Sequence, residues 1–486
     1  MASIKKQSII NILITYAGIG IGFVNMLILQ PRLLSSEDIG LTRVLFSFSF
    51  LISTFIPLGS GNLINRYFPV FKDEKSKNHG ILGLVFLSVF VGFVFCSLGL
   101  LFFADFIKAT YQEHAAQFSH FYYLIIPFAL INTIIAVFNV YCYALFKSYI
   151  PSLLNDIGIK ILNILVFVMY YFGYISHSTM VYAYIGTFGL QALILSIYAL
   201  KIAPFTFIPD FRFIQSLGVG KIYKYLLIFV LASFASYGIR ILDSIVLAKY
   251  IDLEQVGIYV VIAFIPTFIE APLNAVEKIV NPKYSYALAA NNLALVEEFY
   301  KKSCKYLMLI GGALLICIIA DIEMVMQFLP AKYSTGLSVV YIMTIGSVIN
   351  LFTGTNTAII FNSDNYVAGA SILVSILVFS VVINFILIPI WGMNGAALAT
   401  ASATVLYNLA KMIYIHYKFK IHPYSEKSFS ILIITLLVAA IAYFFPNIEN
   451  IYMNLVVKTG CLLVFFSVLL IFTKSFNMNE LSFFKK

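Results

Sequence analysis

The chain is 486 residues long, 61% hydrophobic and 11% charged, with a formal net charge of +10. A soluble domain is nearer half apolar and a quarter charged, so a water-exposed globule is excluded and an integral membrane protein is indicated. The apolar runs are continuous rather than alternating, which excludes barrel strands, and the basic residues form no dense patch or motif for nucleic acid.

Hydropathy predicts an all-α polytopic membrane protein with about fourteen transmembrane helices. In chain order they lie near 8–30, 41–65, 81–104, 121–146, 153–174, 180–199, 225–248, 256–277, 305–325, 338–361, 366–389, 391–416, 429–445 and 451–473. The basic N-terminal stretch resembles a signal peptide, but its apolar run from Ile9 to Leu29 is long for a cleaved segment and lacks an A-x-A site. It reads as the first span. Pro69, Pro330, Pro389 and Pro446 fall at or just past span ends, where lost helix bonds cost least. Ile390-Trp391-Gly392 divides the eleventh span from the twelfth.

Lys and Arg set the orientation. Alternate segments carry most of the 31 basic residues, among them Lys5, Lys6, Lys147, Lys160, Lys411 and Lys474, whereas the opposite segments hold Arg32, Arg43, Lys108, Lys249 and Lys332. This places both termini in the cytoplasm of a cell inner (plasma) membrane protein. The longest predicted loop, 281–304, reads as an amphipathic interfacial helix with Leu293, Val296, Phe299 and Tyr300 on one side.

A repeat lies beneath these spans. Glu37-Asp38-Ile39-Gly40 joins spans one and two, and Glu254-Gln255-Val256-Gly257 joins spans seven and eight, 217 residues later. Phe146-Lys147-Ser148 and Phe361-Asn362-Ser363 match at an offset of 215. Six spans separate each pair, and an even number keeps both copies in one orientation, as in a parallel transporter repeat. The organisation expected is a six-helix lobe at 1–200, a second at 201–420, and two additional helices at 421–486.

Residues 235–272, ASYGIRILDSIVLAKYIDLEQVGIYVVIAFIPTFIEAP, place Arg240, Asp243 and Glu270 at membrane depth. Ionisable residues there are costly and read as functional by default. Arg240 and Asp243 are i, i+3 and share a helix face. Arg240 lies roughly 15 Å below the turn, near the bilayer middle. Two readings stay open: a self-neutralised pair that fixes packing, or a pair lining a hydrated cavity, with Arg240 binding an anionic group. Arg suits phosphate because its planar fork donates paired hydrogen bonds. Glu270 lies roughly 9 Å deeper than Arg240 on the next span. Pro266 and Pro272 bracket it and weaken helical bonding there. It reads either as a carboxylate that exchanges a proton or as one paired at a headgroup boundary.

In the first half, Arg43 sits just inside span two, Gly59-Ser60-Gly61-Asn62 interrupts that span, and Arg66 ends it. Gly354-Thr355-Asn356 gives the second half similar small and polar residues. Asn62 and Asn356 suit either sugar hydroxyls or helix packing. Lys458 lies in span fourteen, within snorkelling reach of an interface.

Enzyme signatures are missing: no G-x-S-x-G, P-loop, G-x-G-x-x-G or H-E-x-x-H occurs, and no loop is long enough for a catalytic domain. No catalytic residue or metal site is expected. The six histidines lie in loops or at span ends and read as solvated, with no metal-ligand spacing. The five cysteines are scattered and read as packing residues.

The runs PRLLSSEDIGLTRVL, NLINRYFP and RILDSIVLAKYIDLEQVGIYVVIAFIPTFIEAPLNAV resemble the polysaccharide flippases of the MOP exporter superfamily, the Wzx-type O-antigen (lipopolysaccharide) and exopolysaccharide transporters. The resemblance covers essentially the whole chain. It implies two six-helix lobes around a cavity, and alternating access that turns an undecaprenyl-pyrophosphate-linked oligosaccharide from the cytoplasmic to the outer leaflet. Arg240 and Asp243 match the family's Arg-x-x-Asp, and Glu270 with Pro272 its Glu-x-Pro, with Arg43 and Arg66 near the cavity mouths. No cofactor is implied; an H+ or Na+ gradient or the membrane potential is the energy source open to it. The partners implied are membrane lipids, the lipid-linked substrate, and polymerase or ligase proteins of the same pathway. The alternatives are a lipid II flippase, a cation-coupled drug exporter, or a membrane enzyme or polymerase of the glycan pathway.

Overall fold

A computed structural model of the chain describes residues 2–73, 75–216, 219–446, 450 and 453–476. Among the described residues there are helices and turns and no strand. Backbone groups in a bilayer have no water to bond to, and helices satisfy them internally. Eleven helical stretches are long and apolar enough to cross a membrane. They are α1 (Leu13–Leu33), α2 (Ser36–Phe55), α3 (Asn78–Phe102), α4 (Ala116–Ala144), α5 (Tyr149–Tyr171), α6 (His177–Ile202), α8 (Leu253–Ala289), α9 (Leu293–Met326), α10 (Ala331–Phe352), the stretch Tyr366–Phe419, and α13 (Glu426–Phe444). The helices α7 (Val219–Tyr250) and α14 (Thr459–Phe472) occupy the expected seventh and fourteenth positions.

Tyr366–Phe419 spans 54 residues, far too many for one passage. It breaks at Gly392, where φ is 52° and ψ −126°, a conformation that glycine alone adopts without strain. A Cβ on Gly395 would overlap the Leu387 carbonyl. Eight residues of continuous helix would separate those positions by about 12 Å, so the chain reverses here into α11 (366–391) and α12 (393–419). Among the described residues this gives twelve stretches of membrane-crossing length, with the eleventh and twelfth expected passages divided at the expected place, while α7 and the shorter α14 stand at the two remaining positions.

By contacts the chain forms two compact units, Met1–Val261 and Ile262–Lys486. In the first, α2 packs on α4 and α7, α4 on α6, and α5 on α1 and α6. Its core gathers Phe68, Phe71, Val85, Phe138, Tyr141 and Leu195. In the second, α9 is central and packs on the end of α8, on α10, α13 and α14. Its core includes Val280, Tyr284, Tyr300, Ile316, Leu351 and Ile434.

Several local expectations change. The second span stops at Phe55 and the chain resumes as Ser60–Phe71, because Gly59 adopts φ 79° and caps the new helix. The 281–304 stretch is no separate interfacial helix. The helix starting at Ala271 runs to Ala289, and after a short turn α9 begins at Leu293. Val296 and Tyr300 are fully buried under that turn, while Leu293 is exposed.

Three charges read from the sequence as topology signals lie inside helices: Arg43 in α2, Lys160 in α5 and Lys411 in α12. The Nζ of Lys160 donates to the Gly18 carbonyl at 2.6 Å, beside Asp156, which accepts from Thr15. Lys458 is buried rather than snorkelling; its Nζ donates to the Phe445 carbonyl at 3.0 Å, and Asp321, close by, accepts from Thr459 and Asn454. Three histidines are engaged rather than simply solvated: His79 with Asp210 at 3.1 Å, His114 with Asp252 at 3.3 Å, and His177 with Asp38 at 2.9 Å.

Candidate functional site

The two copies of the repeated turn meet within the first unit. A Cβ on Gly40 would overlap the Leu253 carbonyl and lie 3.1 Å from the Gly257 nitrogen. A Cβ on Gly257 would overlap the Ser36 carbonyl and lie 3.0 Å from the Gly40 nitrogen. Ser36 is to Gly257 as Leu253 is to Gly40, since both pairs are related by the 217-residue offset. The contact is therefore reciprocal, and only hydrogen fits at either α-carbon. The Ser36 hydroxyl adds a bond of 3.1 Å to Glu254, and Gln117 donates to Glu37 at 2.8 Å.

This packing fixes the register of α2 against α7 and α8, and it brings Arg43 to Asp243. Arg43 lies two turns into α2, and Asp243 two turns before the end of α7. Asp243 is 6% exposed. One of its oxygens accepts from the Tyr259 hydroxyl at 2.6 Å, the other from the Ser244 backbone N–H at 2.7 Å and hydroxyl at 3.3 Å. Among the described residues Arg43 is a cation close enough to act on Asp243 electrostatically, as it does on Tyr184. The Arg43 Nε is buried and has no hydrogen-bond partner among the described residues. The repeat does not extend to this chemistry: the positions equivalent to Arg43 and Asp243 are Val260 and Met26.

In the second unit α8 is interrupted by a 3₁₀ turn, Phe268–Glu270, between Pro266 and Pro272. The turn presents Glu270, whose Oε1 accepts from Asn350 at 3.2 Å and Ser347 at 3.4 Å. A chain of side-chain hydrogen bonds continues from there. Asn408 donates to Asn350 at 2.9 Å, Asn356 to Asn408 at 3.2 Å, Thr357 to Asn356 at 3.4 Å, and the Lys411 Nζ to Thr357 at 2.8 Å. Asn356, Asn408 and Lys411 are all buried. Buried polar groups need partners, and here each amide supplies the next.

Of the residues read from the sequence, Arg43 and Asp243 are brought together in one unit, and Glu270 and Asn356 belong to one network in the other. The side chains of Arg240, Arg66 and Asn62 lie outside the described residues. Asn350, Asn408 and Lys411 were missed. Asn408 and Lys411 stand i, i+3 on one helix, a polar pair inside an apolar span, which is the signal that could have found them. Among the described residues no group of three His, Cys, Asp or Glu side chains is placed to hold a metal ion.

The family model described as polysaccharide biosynthesis protein matches residues 4–281, more than half of the chain. No protein of curated function matches the chain in sequence. Among solved structures, the lipid II flippase MurJ in an inward closed conformation superposes with a TM-score of 0.74 at 14% identity, covering 96% of this chain and 99% of that one. An inward-facing multidrug resistance MATE family transporter of the MOP superfamily gives 0.63 at 14% identity, covering 84% and 94%. A MOP superfamily transporter from Pyrococcus furiosus gives 0.57 at 12% identity, covering 85% and 94%. At such identities the likeness is one of fold. The chain belongs to the polysaccharide biosynthesis protein family and is a multi-pass membrane protein with the fold of the MOP superfamily.

Proposed function

We propose that this chain is a flippase that moves an undecaprenyl-pyrophosphate-linked oligosaccharide from the cytoplasmic to the outer leaflet of the inner membrane by alternating access, for O-antigen or exopolysaccharide assembly. In this reading the termini are cytoplasmic and the two repeated turns face outward. The lobes expected from the sequence are 1–200 and 201–420, and 421–486 supplies two further helices. Family membership and fold support transport of a glycan precursor, and the lipid II flippase among the similar structures supports a lipid-linked one.

The observation that carries the reading is Arg43. Its guanidinium faces a carboxylate that already accepts from Tyr259 and Ser244, and its own Nε is unspent. Asp243 thus attracts the cation electrostatically, while the Arg43 Nε has no described partner. Arg has five N–H groups in a fixed fork that matches two phosphate oxygens. A pyrophosphate head at this depth would gain charge-assisted bonds, offsetting the loss of its hydration. The sugars need only a hydrated path, and the polyprenyl tail stays in lipid. Glu270 and its network lie in the second unit, and in this reading an H+ or Na+ gradient or the membrane potential enters there.

The test is deletion of the gene from its host. Lipid-linked glycan should build up on the cytoplasmic leaflet while surface glycan falls. Normal surface glycan with no such build-up, in a strain holding no second flippase, sinks the reading.

A further inference from the structure

In the first unit α2 and α7 leave the packed turns and lie against each other, so residues equally far from the turns share a depth. Phe50 stands roughly 21 Å from the start of α2, and Tyr237 roughly 20 Å from the end of α7. Their rings meet edge to face, with centroids 5.1 Å apart and planes at 83°. Phe50 also stacks on Phe46 at 5.4 Å, and Phe46 is held in turn by Phe128 and Phe188. Tyr237 remains 46% exposed, and its hydroxyl makes no hydrogen bond to a described residue. Ser236 beside it is exposed as well, and Arg43 is half-buried. Ser233, Ser236, Tyr237 and Arg240 recur at i, i+3, i+4 and i+7, the positions of one helix face. A face of hydroxyls and an arginine does not suit hydrocarbon. A tyrosine hydroxyl at this depth needs a partner, which water or a ligand must supply.

We propose that Phe50 and Tyr237 form a subsite for the sugar ring next to the pyrophosphate, with Tyr237 discriminating a sugar-bearing lipid from a bare one. The inference rests on the flippase reading above and names the part of the substrate that this aromatic pair takes. Phe50 lies two turns, roughly 10 Å, beyond Arg43 on α2, a length that a diphosphate and one hexose ring cover. The axial C–H groups of a pyranose carry partial positive charge, and an aromatic ring offers them its negative face. The Tyr237 hydroxyl can donate to or accept from a sugar hydroxyl. Both rings have few rotatable bonds, and Phe50 is already pinned by Phe46, so little ordering entropy is lost on binding. A polyprenyl pyrophosphate without a sugar has nothing to place there.

The full chain in nanodiscs is titrated with undecaprenyl pyrophosphate and with the same lipid carrying a single N-acetylhexosamine. The ratio of the two affinities is the readout, because a general loss of charge or of folded protein leaves it unmoved. The wild type should bind the sugar-bearing lipid about 10-fold tighter, the scale of one stacked ring and one hydrogen bond. Tyr237→Leu should bring that ratio down to about one, and Tyr237→Phe to about 3-fold. Arg43→Ala should weaken both lipids and keep the ratio. A wild-type ratio retained in Tyr237→Leu overturns the subsite, since the ring would then serve helix packing alone. A wild type that binds both lipids equally overturns it too, and leaves the flippase reading standing. A wild type that binds neither lipid overturns that reading and the subsite with it. If Tyr237→Leu does not fold, Tyr237→Phe decides: a lowered ratio supports the subsite, and an unchanged one overturns it.

Discussion

In the first unit a guanidinium faces a carboxylate and keeps donors unspent; in the second an ammonium and a carboxylate close the two ends of a chain of amides. Both arrangements put charge at membrane depth, where isolated charge is costly. They differ in what is left over. Arg43 retains a buried Nε with no described partner, a donor that the proposed pyrophosphate would engage. The network from Glu270 to Lys411 passes its bonds from side chain to side chain. The first arrangement leaves a donor over, and the second spends its donors along the chain.

Four experiments break or sharpen that contrast, from the largest expected effect to the smallest. Arg43→Ala should lower glycan export about 10- to 100-fold at normal protein level, the scale of a charged hydrogen bond of about 1.5–3 kcal/mol. Arg43→Lys should retain part of it, and Arg240→Ala measured beside it shows whether the second arginine shares the load. Export unchanged in Arg43→Ala would return that residue to packing. Asn408→Ala should act on stability instead, because it orphans a group on each side of it. A loss of about 2–3 kcal/mol, read as a lowered melting temperature of the purified protein, is expected. A melting curve that does not move would mean the amide chain is not continuous.

Gly40→Ala should cost about 1–2 kcal/mol by forcing α2 away from the Leu253 carbonyl. Gly257→Ala should cost as much, and the double variant less than the sum, since one separation relieves both clashes. Full additivity would mean that the two contacts are independent. The smallest effect belongs to a water-exposed contact outside the spans. Asp210 is held below the usual carboxylate range, first by the Phe213 N–H and then by His79. A depressed carboxylate contributes fully above its ordinary pKa of about 4 and loses that contribution as pH falls through the lowered value. Proteolysis within 203–213 should therefore stay constant from neutral pH to about 4 and rise only below. A rise that already begins between pH 7 and 5 would mean that the Asp210 carboxylate does not hold this segment.

Much of this was legible from composition and spacing. The passages followed from continuous hydropathy, the break in α8 from Pro266 and Pro272, and the paired turns from the offset between Gly40 and Gly257. What escaped depends on side chains meeting across helices. Arg43 and Asp243 are 200 residues apart, and no local pattern announces their meeting; the neighbouring Arg240 offered the nearer pairing. Lys160 and Lys411 were read as orientation signals because a charge near the end of an apolar run looks alike whether it faces headgroups or a neighbouring helix. The 281–304 stretch looked like a loop because its polar residues lower hydropathy, although they only cover the outside of a helix–turn–helix.

The seam between the two turns has a genetic consequence. What a side chain at Gly40 would strike is the backbone carbonyl of Leu253, and what one at Gly257 would strike is that of Ser36. A clash with a side chain can be cured by trimming that side chain elsewhere in the gene. A clash with a carbonyl cannot, because every amino acid carries the same one. Neither glycine therefore has a second-site suppressor at the position it touches. Suppressors of Gly40→Ala or Gly257→Ala should fall instead on residues that let a whole helix retreat, and mapping them would trace which packing around α2 and α8 can yield.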